Sequence, residues 1–175
     1  MSRRFTISTL VLLVAAIATL RSQEHLRITP FITDNRVVVS FELNDAYNDE
    51  VREAIASGLR TTFAYQLELR TPGWIDRTVG TSIVATTDQY DNLTRRHTLT
   101  RTIDGKVDAV LVTEDDAVVK TWLTKWIRVP VADTARLDAA RDYYVRVTTR
   151  TRPAGGSLLG LTKTITGQVK FTFIP

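Results

Sequence analysis

The chain has 175 residues, 43% hydrophobic and 24% charged, with a formal net charge of +4, a pI near 9.6 and no cysteine. That length holds one domain with a modest core, and the apolar content excludes a disordered tail. The missing cysteine excludes a disulfide framework, a thiolate metal site and a cysteine nucleophile, and leaves His25 and His97 as the sole imidazoles.

Residues 1–22 read as an export signal. Ser2-Arg3-Arg4 is a basic leader, Phe5 to Leu20 carries no charge, and Ala16 and Ala18 offer the small residues that a signal peptidase requires. Cleavage is expected after Ala18 or after Ser22. The rival reading is an uncleaved anchor, against which the apolar run is short of the roughly 20 residues that span a bilayer. Ser2-Arg3-Arg4-Phe5 faintly resembles a twin-arginine signal, but nothing downstream points to a cofactor that would need that route. A lipid anchor needs a cysteine and is excluded. Cleavage after Ala18 removes Arg3 and Arg4, leaving 21 basic against 19 acidic residues; cleavage after Ser22 also removes Arg21, leaving +1. The whole-chain pI is thus a weak guide to partners.

Residues 23–175 read as one mostly β domain. Threonine occurs 27 times, and 18 arginines stand against 5 lysines. Val37, Val39, Phe41 and Leu43 alternate with polar or second-face residues. The same period of two recurs at Phe63, Tyr65, Leu67 and Leu69, at Tyr143, Val145, Val147 and Thr149, and at Ile165, Val169, Phe171 and Phe173. Such alternation marks antiparallel strands with one face in a core. Further strands are expected at 25–33, 75–88, 93–103, 106–113 and 126–131, with Asp104-Gly105 as a two-residue hairpin turn. Two helices interrupt them. Tyr47 to Ser57 is helical in spacing, with Asp45 or Asn48 as cap and Gly58 at the left-handed end. The second runs from about Glu114 to Lys125, with Thr113 as acceptor for the first turn and Glu114, Asp115 and Asp116 near the positive end of the dipole. Its buried stripe is expected to be Val118, Val119, Trp122, Leu123 and Trp126.

Leu137, six steps to Tyr143, then Val145-x-Val147 is similar to the tyrosine corner of fibronectin type III and immunoglobulin-like sandwiches. The fold expected is therefore an immunoglobulin- or fibronectin-like antiparallel β-sandwich with two short helical insertions. The order Ala54–Phe63, Leu67–Asp76 with Trp74, Leu93-Thr-Arg-Arg, the acidic-capped helix with Trp122, and Tyr143–Val147 resembles the uncharacterised exported bacterial proteins of domain-of-unknown-function family 4390. The resemblance covers roughly residues 25–173. It implies an exported, mostly β domain with no assigned reaction, and a signalling partner for members encoded beside membrane sensor kinases.

No catalytic constellation emerges, so no catalytic, cofactor or metal residue is expected. Gly155-Gly-Ser157 lacks the setting of a nucleophile elbow. His97 shares the parity of Leu93, Leu99 and Ile103 and should point inward as a hydrogen-bonded core histidine; His25 should be solvated. Asp108, Glu114, Asp115 and Asp116 lack the alternate spacing of a calcium loop. Asp88, Asp91 and Asn92 around Tyr90 read as a turn, and Asn92-Leu-Thr94 as a chance sequon. An enzyme working by carboxylates alone would draw on Asp76 with Asp88 or Glu68.

Binding features remain. Arg146, Arg150 and Arg152 fall on one strand and Arg95, Arg96 and Arg101 on another; if the strands are neighbours they form a basic partner surface. No aromatic residues interleave as nucleic-acid stacking platforms would. Leu158, Leu159 and Leu161 lie in a glycine-rich loop that either lids the sandwich or touches a partner or membrane surface. A cleft near Trp74, Trp122 and Trp126 is a candidate site for an apolar or anionic ligand. The functional expectation is an exported, non-enzymatic binding domain of the cell envelope, partnered by an envelope or membrane protein. A ligand-binding or sensory partner of a membrane signalling protein is the alternative, and a small outer-membrane barrel the architectural rival.

Overall fold

The computed structural model describes residues 26–153 and 164–174. The expected signal, His25 and the leucine loop of Leu158, Leu159 and Leu161 lie outside the described residues. The elements are β1 (Leu26–Thr33), β2 (Arg36–Leu43), α1 (Asp49–Ala56), β3 (Thr61–Thr71), β4 (Arg77–Asp91), β5 (Arg96–Ile103) and β6 (Lys106–Thr113), then α2 (Asp116–Thr124), β7 (Lys125–Asp133), a 3-10 turn at Thr134–Arg136, β8 (Asp142–Pro153) and β9 (Thr164–Thr172).

The alternating segments pair without exception antiparallel. One sheet has the order β1-β2-β7 and the other β6-β5-β4-β3-β8-β9. In immunoglobulin lettering these are A-B-E facing G-F-C-C′-C″, with β6 added beyond C″. The inner faces meet through Val37, Val39, Phe41 and Leu43 of β2, Phe63, Tyr65, Leu67 and Leu69 of β3, and Tyr143, Val145 and Val147 of β8, all buried. Tyr143 Oη accepts from the Asp138 backbone N–H at 2.8 Å, the tie expected of a tyrosine corner. The fold is the expected sandwich. Two open sheets around a filled core do not make the rival barrel.

Local chemistry sets the ends of the elements. Asn48 caps α1 by accepting from Val51 N at 3.0 Å. The helix closes with Gly58 N bonded to Ile55 O, Leu59 N bonded to Ala54 O, and Gly58 at φ +80°, a left-handed position that suits glycine. The Asp104-Gly105 turn joins β5 to β6 with both residues at positive φ. Asp34 and Asn35 turn β1 into β2 by the same device, a signal that strand patterning alone does not weigh.

Two corrections concern α2 and the strand after it. The helix begins at Asp116, capped by Asp115 on Ala117 N, while Thr113 accepts from Asp115 N. Trp126 belongs to β7 and not to the helix. Ile127 and Arg128 together oppose Ser40, a β-bulge in which Arg128 takes φ 56° and its N–H bonds Ser40 Oγ at 3.1 Å. The extra residue lets Trp126 and Val129, three apart, both face the core and turns Ile127 outward.

Gly80 brings the two sheets together at one corner. A Cβ there would stand 2.4 Å from Val131 O and 2.7 Å from Ala132 Cβ. Only a glycine admits that approach of β7 to β4.

Candidate functional site

The best-formed site lies where α2 and the start of β7 cover the inner face of β5. Arg101 shares the inward parity of His97, Leu99 and Ile103 and opposes the buried Thr86. Its guanidinium carbon stands 4.3 Å from the Trp122 ring centre and 4.6 Å from that of Trp126. Arg101 Nη2 donates to Trp122 O at 2.8 Å and to Lys125 O at 2.6 Å. A short helix leaves its last carbonyls without intrahelical partners, and they form the negative end of its dipole. The sheet supplies their donors: Arg101 takes two, and Tyr65 Oη donates to Leu123 O at 2.7 Å. Burial lowers the Arg101 pKa from its ordinary value, and the field of Asp108 opposes this.

Donor capacity remains. Arg101 Nε, Trp122 Nε1 and Trp126 Nε1 are buried N–H groups without an acceptor among the described residues. Two open depressions of about 420 Å³ each adjoin this cluster. Ala117, Val118, Thr121 and Trp122 line the first, which is mainly apolar. Arg36, Asp108, Trp126 and Arg128 line the second, which is charged, and Arg101 and Ile127 belong to both. The arrangement suits an anionic group flanked by apolar ones. It contains no nucleophile placed beside a base.

A second cluster is buried. Asp88 is fully enclosed, and its Oδ2 lies 2.9 Å from His97 Nδ1 while its Oδ1 has no partner. The Tyr90 ring packs 4.5 Å from the imidazole. Burial raises the Asp88 carboxyl above its ordinary value, and the bond to His97 works against that. Nearby, Tyr47 Oη bonds Asp116, which together with burial raises the tyrosine pKa. His97 is the inward, bonded histidine expected of its parity. Among the described residues no cluster of three potential metal ligands occurs.

The other expected residues disperse. β5 and β8 are separated by β4 and β3, three strand spacings or about 14 Å. The two arginine groups therefore form no continuous patch. Arg101 faces inward, Arg96 pairs with Glu114 at 3.0 Å, and Arg95 sits in the turn at φ 57°. Arg150 is exposed on β8, and Arg152 opposes Thr62 in the ladder. Arg146 lies beside Tyr144, whose hydroxyl donates to Asp76 at 2.5 Å and holds that carboxyl below its ordinary value.

Trp74 stands fully exposed at the tip of the β3–β4 connection, apart from the other two tryptophans. Asp76 at that tip and the enclosed Asp88, at the far end of β4, are not brought together, whereas Arg70 links the other pairing read from sequence, donating to Asp76 O and facing Glu68. Glu68 lies beside Arg70 at 3.6 Å. The groove residues missed by sequence reasoning are Arg36, Ile127 and Arg128. The three-residue step from Trp126 to Val129 was the signal for Ile127 and Arg128, because an unbroken strand would place Trp126 and Val129 on opposite faces; Arg36, at the start of β2, had none.

Fold and site together define an immunoglobulin-like sandwich with a cationic, aromatic groove at its open side. The chain belongs to the family described as Domain of unknown function (DUF4390), whose model matches residues 22–154. No curated protein and no solved structure matches it.

Proposed function

We propose that this chain is an exported, non-enzymatic binding domain of the bacterial cell envelope that takes its partner in the groove between α2, β5 and β7. The observation that carries the reading is Arg101 held between Trp122 and Trp126 beside donors without an acceptor among the described residues. Buried polar groups are normally satisfied, and a cation fixed between aromatic faces next to an open apolar depression is a recognition surface. The basic leader and uncharged run of residues 1–22 support export.

An amine-reactive crosslinker that does not cross the inner membrane, applied to intact cells, tests both parts. Lys120 and Lys125 are exposed on and beside α2. They should react and become joined to an envelope protein. Lysines that stay unmodified in intact cells but react in lysate would refute export. Modified lysines joined to no partner would refute the binding role.

A further inference from the structure

We infer that the groove recognises an acidic peptide segment, with one carboxylate received at Arg101 and apolar side chains lying on Val118, Trp122 and Ile127. This rests on the binding reading above and adds the chemistry of the partner. The unanswered groups at Arg101 Nε, Trp122 Nε1 and Trp126 Nε1 are all donors. They are enclosed in the wall of the groove, so a side-chain adjustment accompanies any contact with them; a cationic or donor-bearing ligand gains nothing from that adjustment, whereas a carboxylate brings about four lone-pair sites and forms charge-assisted bonds. Among the described residues no ion pair links Arg101 to Asp108, the carboxylate whose field reaches it.

Charge around the cluster agrees. Arg36, Arg101, Lys125 and Arg128 line the two depressions against Asp34 and Asp108, four positive charges facing two negative. Lys125 also lies 3.6 Å from Glu42. An incoming acidic segment therefore meets a net positive field.

Shape separates a peptide from a small amphiphile. Pockets that hold small molecules enclose most of the ligand surface. Here the two depressions are open and share Arg101 and Ile127 in their walls, which suits a chain that places side chains in both. The bulge at Ile127 and Arg128 and the proline at Pro130 break the regular edge of β7. Contact then runs through side chains and not through an added strand.

The test uses the mature chain recovered from the envelope of producing cells and a phage-displayed library of random peptides. Selected peptides should be enriched in Glu or Asp flanked by Leu, Ile, Val or Phe. A synthetic copy of the strongest should shift the indole N–H resonances of Trp122 and Trp126 while leaving that of Trp74 still. Replacing its acidic residues with Gln should weaken binding about tenfold or more. Arg101→Lys, which keeps the charge but loses Nε and the planar fork, should weaken it similarly.

If Arg101→Lys fails to fold, Arg128→Glu on the exposed rim should weaken binding with an unchanged circular dichroism spectrum. No enrichment, enrichment of neutral or basic sequences, or equal affinity for the Gln peptide would overturn the inference. Any of these with the Lys120 and Lys125 crosslinks intact removes the acidic peptide and leaves the binding domain standing. Absent crosslinks remove the binding reading itself.

Discussion

Half-buried Arg101 and fully buried Asp88 show how differently two ionisable groups on neighbouring strands are treated. Arg101 spends two donors on the carbonyls that end α2 and keeps another beside a groove. Asp88 has one bonded oxygen and one without a partner, in a site closed to solvent. Because its folded pKa is raised above the ordinary 3.8, the native state holds that proton more tightly than the unfolded chain. The native advantage is therefore complete below about pH 4 and is lost as pH rises through the folded value. Asp88→Asn removes this titration. Urea unfolding across pH should show the wild-type stability minus that of Asp88→Asn falling as pH climbs from about 4; a difference flat in pH would contradict the burial account. Tyr143→Phe should lose about 1 kcal/mol in the same assay, since the Asp138 N–H forfeits its acceptor; an unchanged midpoint would show that the tie does not stabilise the fold. At this scale the sequence was informative where parity holds. Arg101 lies two steps from Leu99 and four from His97, so its inward direction was legible, but its tryptophan neighbours come from another element.

The elements that build the groove are those added to the smallest immunoglobulin plan. β5 and β6 extend the larger sheet beyond β4, and α2 fills the path from β6 back to β7. Arg101 comes from that extension, Trp122 from α2, and Trp126 and Ile127 from the bulged start of β7. Alternation placed the inner residues of β2, β3 and β8 correctly, and capping chemistry located the start of α1 at Asn48 but set that of α2 two residues early, at Thr113 in place of Asp115. Sheet order was not legible, because period-two patterning tells which face a residue takes and not which strand lies beside it. That is why the arginines of β5 and β8 allowed a joint patch until the order separated them. The bulge was half-legible, as an irregular step among core residues. Gly80→Ala tests the corner where β4 meets β7: an added Cβ would meet backbone and not a flexible tip. Differential scanning calorimetry should report a loss of about 1–3 kcal/mol, whereas a neutral result would mean that the sheets separate there easily. Asn48→Ala should lose about 1 kcal/mol through the α1 cap alone; unchanged stability in urea unfolding would show that the cap contributes nothing.

For the molecule as a whole, the net charge of +4 matters less than where charge lies. The arginines on the outer face of the larger sheet are scattered among threonines, while four cations gather around one groove. Under the proposed function, this division assigns binding to the groove and not to the broad sheet face. A photo-crosslinking amino acid in place of Ile127 or Val118 reports on the groove, and one in place of Thr148 or Thr166 reports on the sheet face. Each variant is produced in the native host and irradiated in intact cells. The account predicts a discrete, reproducible adduct from Ile127 and Val118 and none from Thr148 or Thr166. Adducts from the sheet-face positions alone, or from none of the four, would contradict it.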